Sequence, residues 1–202
     1  ITDFSCNDLG VNTVTLAVRD SSGNIGTGTA SVTVADTTRP VVVTQPFTVY
    51  LDGSGNGSIT ASQIDNGSSD NCGIDSLWLD VTSFGCNNTG ANVVTLSARD
   101  SSGNIGSGTA TVTVVDTVRP VVSTRPVTVY LDGAGNGSFI VAAVNNGSTD
   151  ACGIDSMWVD NNSFGCTDTG VHNITLFARD SSGNTGTGIA VVTVRDTISP
   201  VA

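Results

Sequence analysis

Three aspartates and an asparagine recur in this sequence at a spacing that could hold a divalent cation. Asp36, Asp70, Asp100 and Asn104 return eighty residues later as Asp116, Asp150, Asp180 and Asn184. Carboxylates gathered at close range repel unless a cation offsets them, and hard oxygen ligands suit Ca2+. Taken singly, each of these residues is also a turn former, because Asp and Asn side chains bond their own backbone two residues on. A second acidic pattern, AspGlySerGlyAsnGly from Asp52 to Gly57, matches the opening of an EF-hand-type loop. Its twelfth position is Gln63 rather than Glu, and the later copy replaces Ser54 and Gln63 with Ala134 and Ala143. That favours a tight hairpin turn over a calcium loop.

The cysteines are the other reactive set. Cys72 and Cys86 are fourteen residues apart, as are Cys152 and Cys166, and Cys6 corresponds to Cys86. The simplest pairing is Cys72–Cys86 and Cys152–Cys166, one disulfide within each repeat, which implies an oxidising compartment. Zinc is the competing reading, but the sequence has no CxxC and a single His, His172. Catalysis has no support. The position equivalent to His172 in the preceding copy is Asn92, and the serines lie in turn sequences rather than at a nucleophile elbow.

The elements that position these groups are themselves repeated. Residues 40–119 and 120–199 are identical at 49 of 80 positions, and residues 1–39 align with 81–119. A fixed period of this kind is a statement about architecture, and serial modules serve stalks and multivalent binders better than active sites. Within residues 40–119, Val41–Leu51 reads as an edge strand kinked at Pro46. A turn at 52–57 and a short strand at 58–61 follow, then a loop over 62–73. Ile74–Val81 alternates around Trp78, which is expected in the core together with Trp158. Val93–Arg99 and Thr109–Val115 form a hairpin around the turn beginning at Asp100. Six or seven short strands in eighty residues predict a small two-sheet sandwich. Counting reversals brings Asp36, Asp70, Asp100 and Asn104 to one junction between modules, and Asp116, Asp150, Asp180 and Asn184 to the next.

Composition agrees. The sequence lacks Lys and Glu, so its 18 acids are all Asp, and the loss of good helix formers beside 24 Gly points to an all-β chain. The net charge of −11 sets aside nucleic acid and anionic membrane as partners, while leaving divalent cations open. The plainer reading of that acidity is solubility. No apolar run approaches a membrane span, so no membrane insertion by this segment is expected. The predicted organisation is the C-terminal half of a module at 1–38, complete modules at 39–118 and 119–198, and the start of another linker at 199–202. The half-module would expose strand edges and an apolar face unless upstream chain or another molecule completes it.

The phrases AspThrThrArgProValVal (36–42), ThrValTyrLeuAspGlySerGlyAsn (48–56), AsnGlySerSerAspAsnCysGlyIle (66–74) and AlaArgAspSerSerGlyAsn (98–104) resemble the Ig-like, HYR-related repeats of very large secreted surface proteins of Bacteroidetes. Repeats of adhesins associated with gliding motility and type IX secretion are the best match. The resemblance implies tandem Ig-like β-sandwich modules of about 80 residues arranged end to end, extracellular display, and no active site. It also implies O-glycosylation at Asp-(Ser/Thr)-apolar triplets, which here mark Thr37, Ser76, Thr117, Ser156 and Thr197; at the first, Thr follows instead of an apolar residue. The expected function is a structural segment of an adhesin or fibre, partnered by neighbouring modules of the same chain and by other copies in a filament. The alternatives are a repeated carbohydrate- or protein-binding module and an accessory region of a secreted enzyme.

Overall fold

The structure, a computed structural model, describes residues 3–200. It divides into two compact units, one made of Ile1–Phe47, Ile59–Thr82 and Asn92–Val112, the other of Thr48–Ser58, Ser83–Ala91 and Thr113–Ala202. The chain is all-β. Its strands are β1 (Gly10–Arg19), β2 (Ile25–Val34), β3 (Phe47–Tyr50), β4 (Asn56–Ser58), β5 (Ile74–Leu79), β6 (Ser83–Gly85), β7 (Gly90–Asp100), β8 (Ile105–Val115), β9 (Val127–Tyr130), β10 (Asn136–Ser138), β11 (Ile154–Val159), β12 (Ser163–Gly165), β13 (Gly170–Asp180) and β14 (Thr185–Arg195). Single helical turns, α1 (Ala61–Ile64) and α2 (Val141–Val144), occupy part of the stretches expected to be loop.

The second unit contains a whole sandwich. One sheet has the order β11-β13-β14-β9, with β13 and β14 as a ten-pair antiparallel hairpin and β9 parallel to β14. The other sheet is the short pair β10-β12. Pro126 explains the broken first strand. Before it, Val121 and Thr124 bridge to Thr149 and Asn145; after it, the chain joins β14. A Pro cannot donate to a ladder, so the strand changes partner there. Val129, Leu131, Phe139, Val144, Phe164, Ile174, Leu176, Ala190, Val192 and Val194 form one buried cluster between the sheets. Gly186 lets the linker lie close: a Cβ there would stand 2.0 Å from the Pro120 carbonyl oxygen.

The tryptophans depart from expectation. Trp78 and Trp158 are each 41% exposed. Side chains alternate across a strand, and Leu77 with Leu79, or Met157 with Val159, take the half-buried face, which turns the indole outward. Trp158 stacks on Phe177, directly opposite on β13, with ring centroids 5.2 Å apart. Leu16 is 70% exposed, whereas its equivalents Leu96 and Leu176 are fully buried.

This contrast gives a stability prediction. Leu176→Ala should cost about 2–5 kcal/mol in urea unfolding, and Leu16→Ala less than about 1 kcal/mol, because only the first leaves a cavity. Equal costs at the two positions would mean that the apolar face of β1 and β2 is covered in solution.

Candidate cation and disulfide junctions

Each compact unit contains one junction between consecutive repeats. In the first, Asp36 Oδ1 accepts from the Thr38 amide at 3.0 Å and from Asn71 Nδ2 at 3.3 Å. Asp70 Oδ1 accepts from the Cys72 amide at 2.8 Å. Asp100, at the end of β7, accepts from the Asn104 amide and from Asn104 Nδ2, both at 2.8 Å. Oxygens of Asp36, Asp70 and Asp100 lie within 4.8 Å of one another. That span is about twice a Ca–O distance of ~2.4 Å, so one cation can reach all three. The Oδ2 atoms of Asp36 and Asp70 are buried and have no hydrogen-bond partner. A buried ionised oxygen without a partner is costly, and a divalent cation would remove that cost.

The second junction repeats the local bonds. Asp116 Oδ1 accepts from the Val118 amide at 2.9 Å, Asp150 Oδ1 from the Cys152 amide at 2.8 Å, and Asp180 from Asn184 at 2.8 and 2.9 Å. Asp116 is only 6% exposed, and its Oδ2, like that of Asp150, is buried without a partner. The group that converges here is Asp116, Asp150 and the Cys152 sulfur. Asn104 and Asn184 bond to the same junctions through their amide nitrogens. Each turns its Nδ2 to the linker, donating at 3.1 Å to the carbonyl of Asp36 or Asp116. They clip the hairpin turn to the linker and so position the carboxylates.

The disulfides overturn the pairing expected from spacing. Cys72 is bonded to Cys6, and Cys86 to Cys152, in both cases 66 residues apart, while Cys166 is a free, exposed thiol. The bonds therefore join consecutive repeats instead of closing a loop within one. Residues 74–79 form β5 between Cys72 and Cys86. That strand carries the chain roughly 20 Å away from Cys72, and each sulfur meets a cysteine of the neighbouring repeat instead. By chain-entropy reasoning each bond contributes about 4 kcal/mol, against about 3 for the shorter loop. The 52–57 turn makes room for the sulfurs. Gly55 has φ +75°, and a Cβ there would lie 2.7 Å from Cys86 Sγ and 3.6 Å from Cys152 Sγ. Asp52 Oδ1 caps that turn through the Ser54 and Asn56 amides, which is the turn role, not the EF-hand role.

Burial of the Asp100 carboxyl opposes its ionisation, but hydrogen bonds from Asn104 and the turn amides outweigh it and hold the group below the usual carboxylate range. Amides of Asn56 and Ser54 lower Asp52 in the same sense. His172 Nε2 donates to the Asp168 carbonyl at 2.6 Å, and the ring tilts against Phe164. Asn12, the equivalent residue two repeats earlier, makes the same contact with the Asp8 carbonyl. Thr37, Ser76, Thr117, Ser156 and Thr197 are all exposed.

No protein-family model matches the chain. It is 32% identical over 207 residues to a protein named Hyalin from Strongylocentrotus purpuratus; the match takes in 94% of this chain but 16% of that protein. Among solved structures, protocadherin gamma C5 EC1-3 is similar over 94% of this chain and 79% of its own, at 12% identity and a TM-score of 0.44. For mouse cadherin-23 EC22-24 the figures are 93%, 74%, 15% and 0.38. For sidekick-1 immunoglobulin domains 1-4 they are 95%, 60%, 12% and 0.41. The chain is extracellular or displayed at the cell surface, since paired structural cysteines persist in oxidising surroundings.

Two predictions follow from the junction geometry. If the junction takes Ca2+, Asp70→Asn should weaken its binding by roughly tenfold or more in calorimetric titration, about 1.4 kcal/mol, yet leave the melting temperature in chelator unchanged or higher, because it removes an uncompensated carboxylate. A lower melting temperature in chelator would assign Asp70 a purely structural role. The second concerns pH. Asp52 and Asp100 are depressed in the folded chain, so the stability they contribute is complete above the unfolded value near 3.8 and lost as pH falls through their lower folded values. Asp52→Asn should lower the melting temperature at pH 5–7, where that contribution is complete, and change it progressively less as the pH falls below about 4. A loss as large at acid pH as at pH 7 would exclude the titration as cause.

Proposed function

We propose that this chain is a structural segment, a stalk or filament, of a large extracellular cell-surface adhesin or fibre that spaces a functional tip from the cell. The observation that carries this reading is the covalent joining of consecutive repeats by Cys6–Cys72 and Cys86–Cys152. A module that worked alone would gain nothing from bonds to its neighbours. The Hyalin match supports the HYR-related side of the resemblance, and the acidic junctions support Ca2+ held by Asp36, Asp70 and Asp100 and by Asp116 and Asp150. In this reading the cation fixes the angle between neighbouring modules, and Thr37, Ser76, Thr117, Ser156 and Thr197 carry O-glycans in a Bacteroidetes gliding-type adhesin. Other copies of the chain in a filament are the further partners.

A second reading, a repeated carbohydrate- or protein-binding module, draws on the two outward tryptophans. Trp78 and Trp158 stand at the same place in their strands, and exposed aromatic rings stack on sugars. Such a module could also be accessory to a secreted enzyme. Small-angle scattering with and without chelator, run beside a glycan array, separates these readings. The stalk reading expects an elongated particle that softens when Ca2+ is removed, with no glycan bound. A compact particle, or saturable glycan binding lost in Trp158→Ala, would replace it with the binding-module reading.

A further inference from the structure

We propose that the two disulfides form a covalent bypass for tension, so that a pull along the chain runs through only part of each repeat. The argument is topological and rests on two bonds. A force applied at the two chain ends follows the shortest covalent path. It enters at the N-terminal side, crosses from Cys6 to Cys72, follows residues 72–86, crosses from Cys86 to Cys152, and continues from there. Residues 7–71 and 87–151 lie in closed loops off that path.

The division follows the architecture. The bypassed stretch 87–151 contains β7 and β8 entire. Those strands supply Val94, Leu96, Ala98, Val112 and Val114, among the most completely buried side chains. The same bypassed stretch carries Asp100 and the linker residue Asp116, and so part of both acidic junctions. What remains on the path in that repeat is β5 and β6. β5 pairs with β7 over Ile74–Leu79, and β6 pairs with β4 over three residues. Tension thus acts on two short strands, while the hairpin that provides much of the core is relieved of it. Bonds within each repeat, Cys72–Cys86 and Cys152–Cys166, would do the reverse: they would shield the short strands and leave the hairpins to carry the force. Cys166 is the residue that corresponds to Cys6 and Cys86, the two that bond forward.

The function this adds is limited extensibility. It deepens the stalk reading and rests on it for its purpose, but its test does not. The full chain is held by its two ends in an optical trap and stretched until no further length is released. With the bonds intact, roughly 70 residues can be drawn out, about 250 Å at ~3.5 Å per residue. After a thiol reductant is added, or in a Cys6→Ser, Cys86→Ser double variant, the length should rise about threefold, to ~700 Å. The readout is contour length, which does not require the variant to fold. A released length near 600–700 Å before reduction, or no lengthening on reduction, would overturn the proposal. A compact particle in scattering would remove the stalk reading while leaving the 250 Å limit in place, so the two failures are distinguishable.

Discussion

The bond from one repeat to the loop of the next is the constraint on which the rest of the structure hangs. Cys72 and Cys152 sit two residues after Asp70 and Asp150, and each cysteine amide donates to the Oδ1 of that Asp. The disulfide therefore fixes more than a sulfur. It holds the loop that presents a carboxylate to the linker, where Asp36 or Asp116 waits with an unpartnered oxygen. The Asn104 and Asn184 amides close the arrangement from the hairpin side. Three separate stretches of chain meet at each junction, and each is secured by a different bond type: covalent, backbone-to-carboxylate, and side chain to carbonyl.

Energetically the junctions and the cores divide the work. The sandwich of residues 120–199 buries its own apolar cluster, so it does not depend on a neighbour for its core. The junctions, by contrast, gather carboxylates that repel, and the Oδ2 atoms of Asp36, Asp70, Asp116 and Asp150 have no hydrogen-bond partner among the described residues. A chain selected for stability alone would place Asn or Ser there. The arrangement makes sense if something outside the chain completes it, and a divalent cation supplies the charge, the size and the preference for oxygen. Covalent linkage holds the loops that carry these carboxylates together.

Much of this was legible in the sequence. The eighty-residue period, the all-β character and the β7–β8 hairpin follow from identity, composition and alternation, and counting strand reversals brings Asp36, Asp70 and Asp100 to one place. The cysteine pairing was misread, although the signal was present. A strand over 74–81 carries the chain roughly 25 Å away from Cys72, so pairing with Cys86 needs the few residues after it to return along nearly the whole strand. Trp78 was misread for a similar reason. Size suggested the core, yet alternation with Leu77 and Leu79 decides the face, and the smaller residues won it. The role of Asn104 was beyond sequence reasoning, since an amide can offer oxygen or nitrogen, and only its neighbours choose. Gly55 and Gly186 escaped notice because their meaning lies in contacts with residues far along the chain.

The central claim is that consecutive repeats are joined covalently, and disulfide mapping of the unreduced chain tests it most directly. Protease digestion after blocking free thiols, followed by mass spectrometry, should give peptides linking Cys6 to Cys72 and Cys86 to Cys152, with Cys166 carrying the blocking group. Peptides linking Cys72 to Cys86 and Cys152 to Cys166, with Cys6 blocked, would contradict the account and return the disulfides to the interior of each repeat.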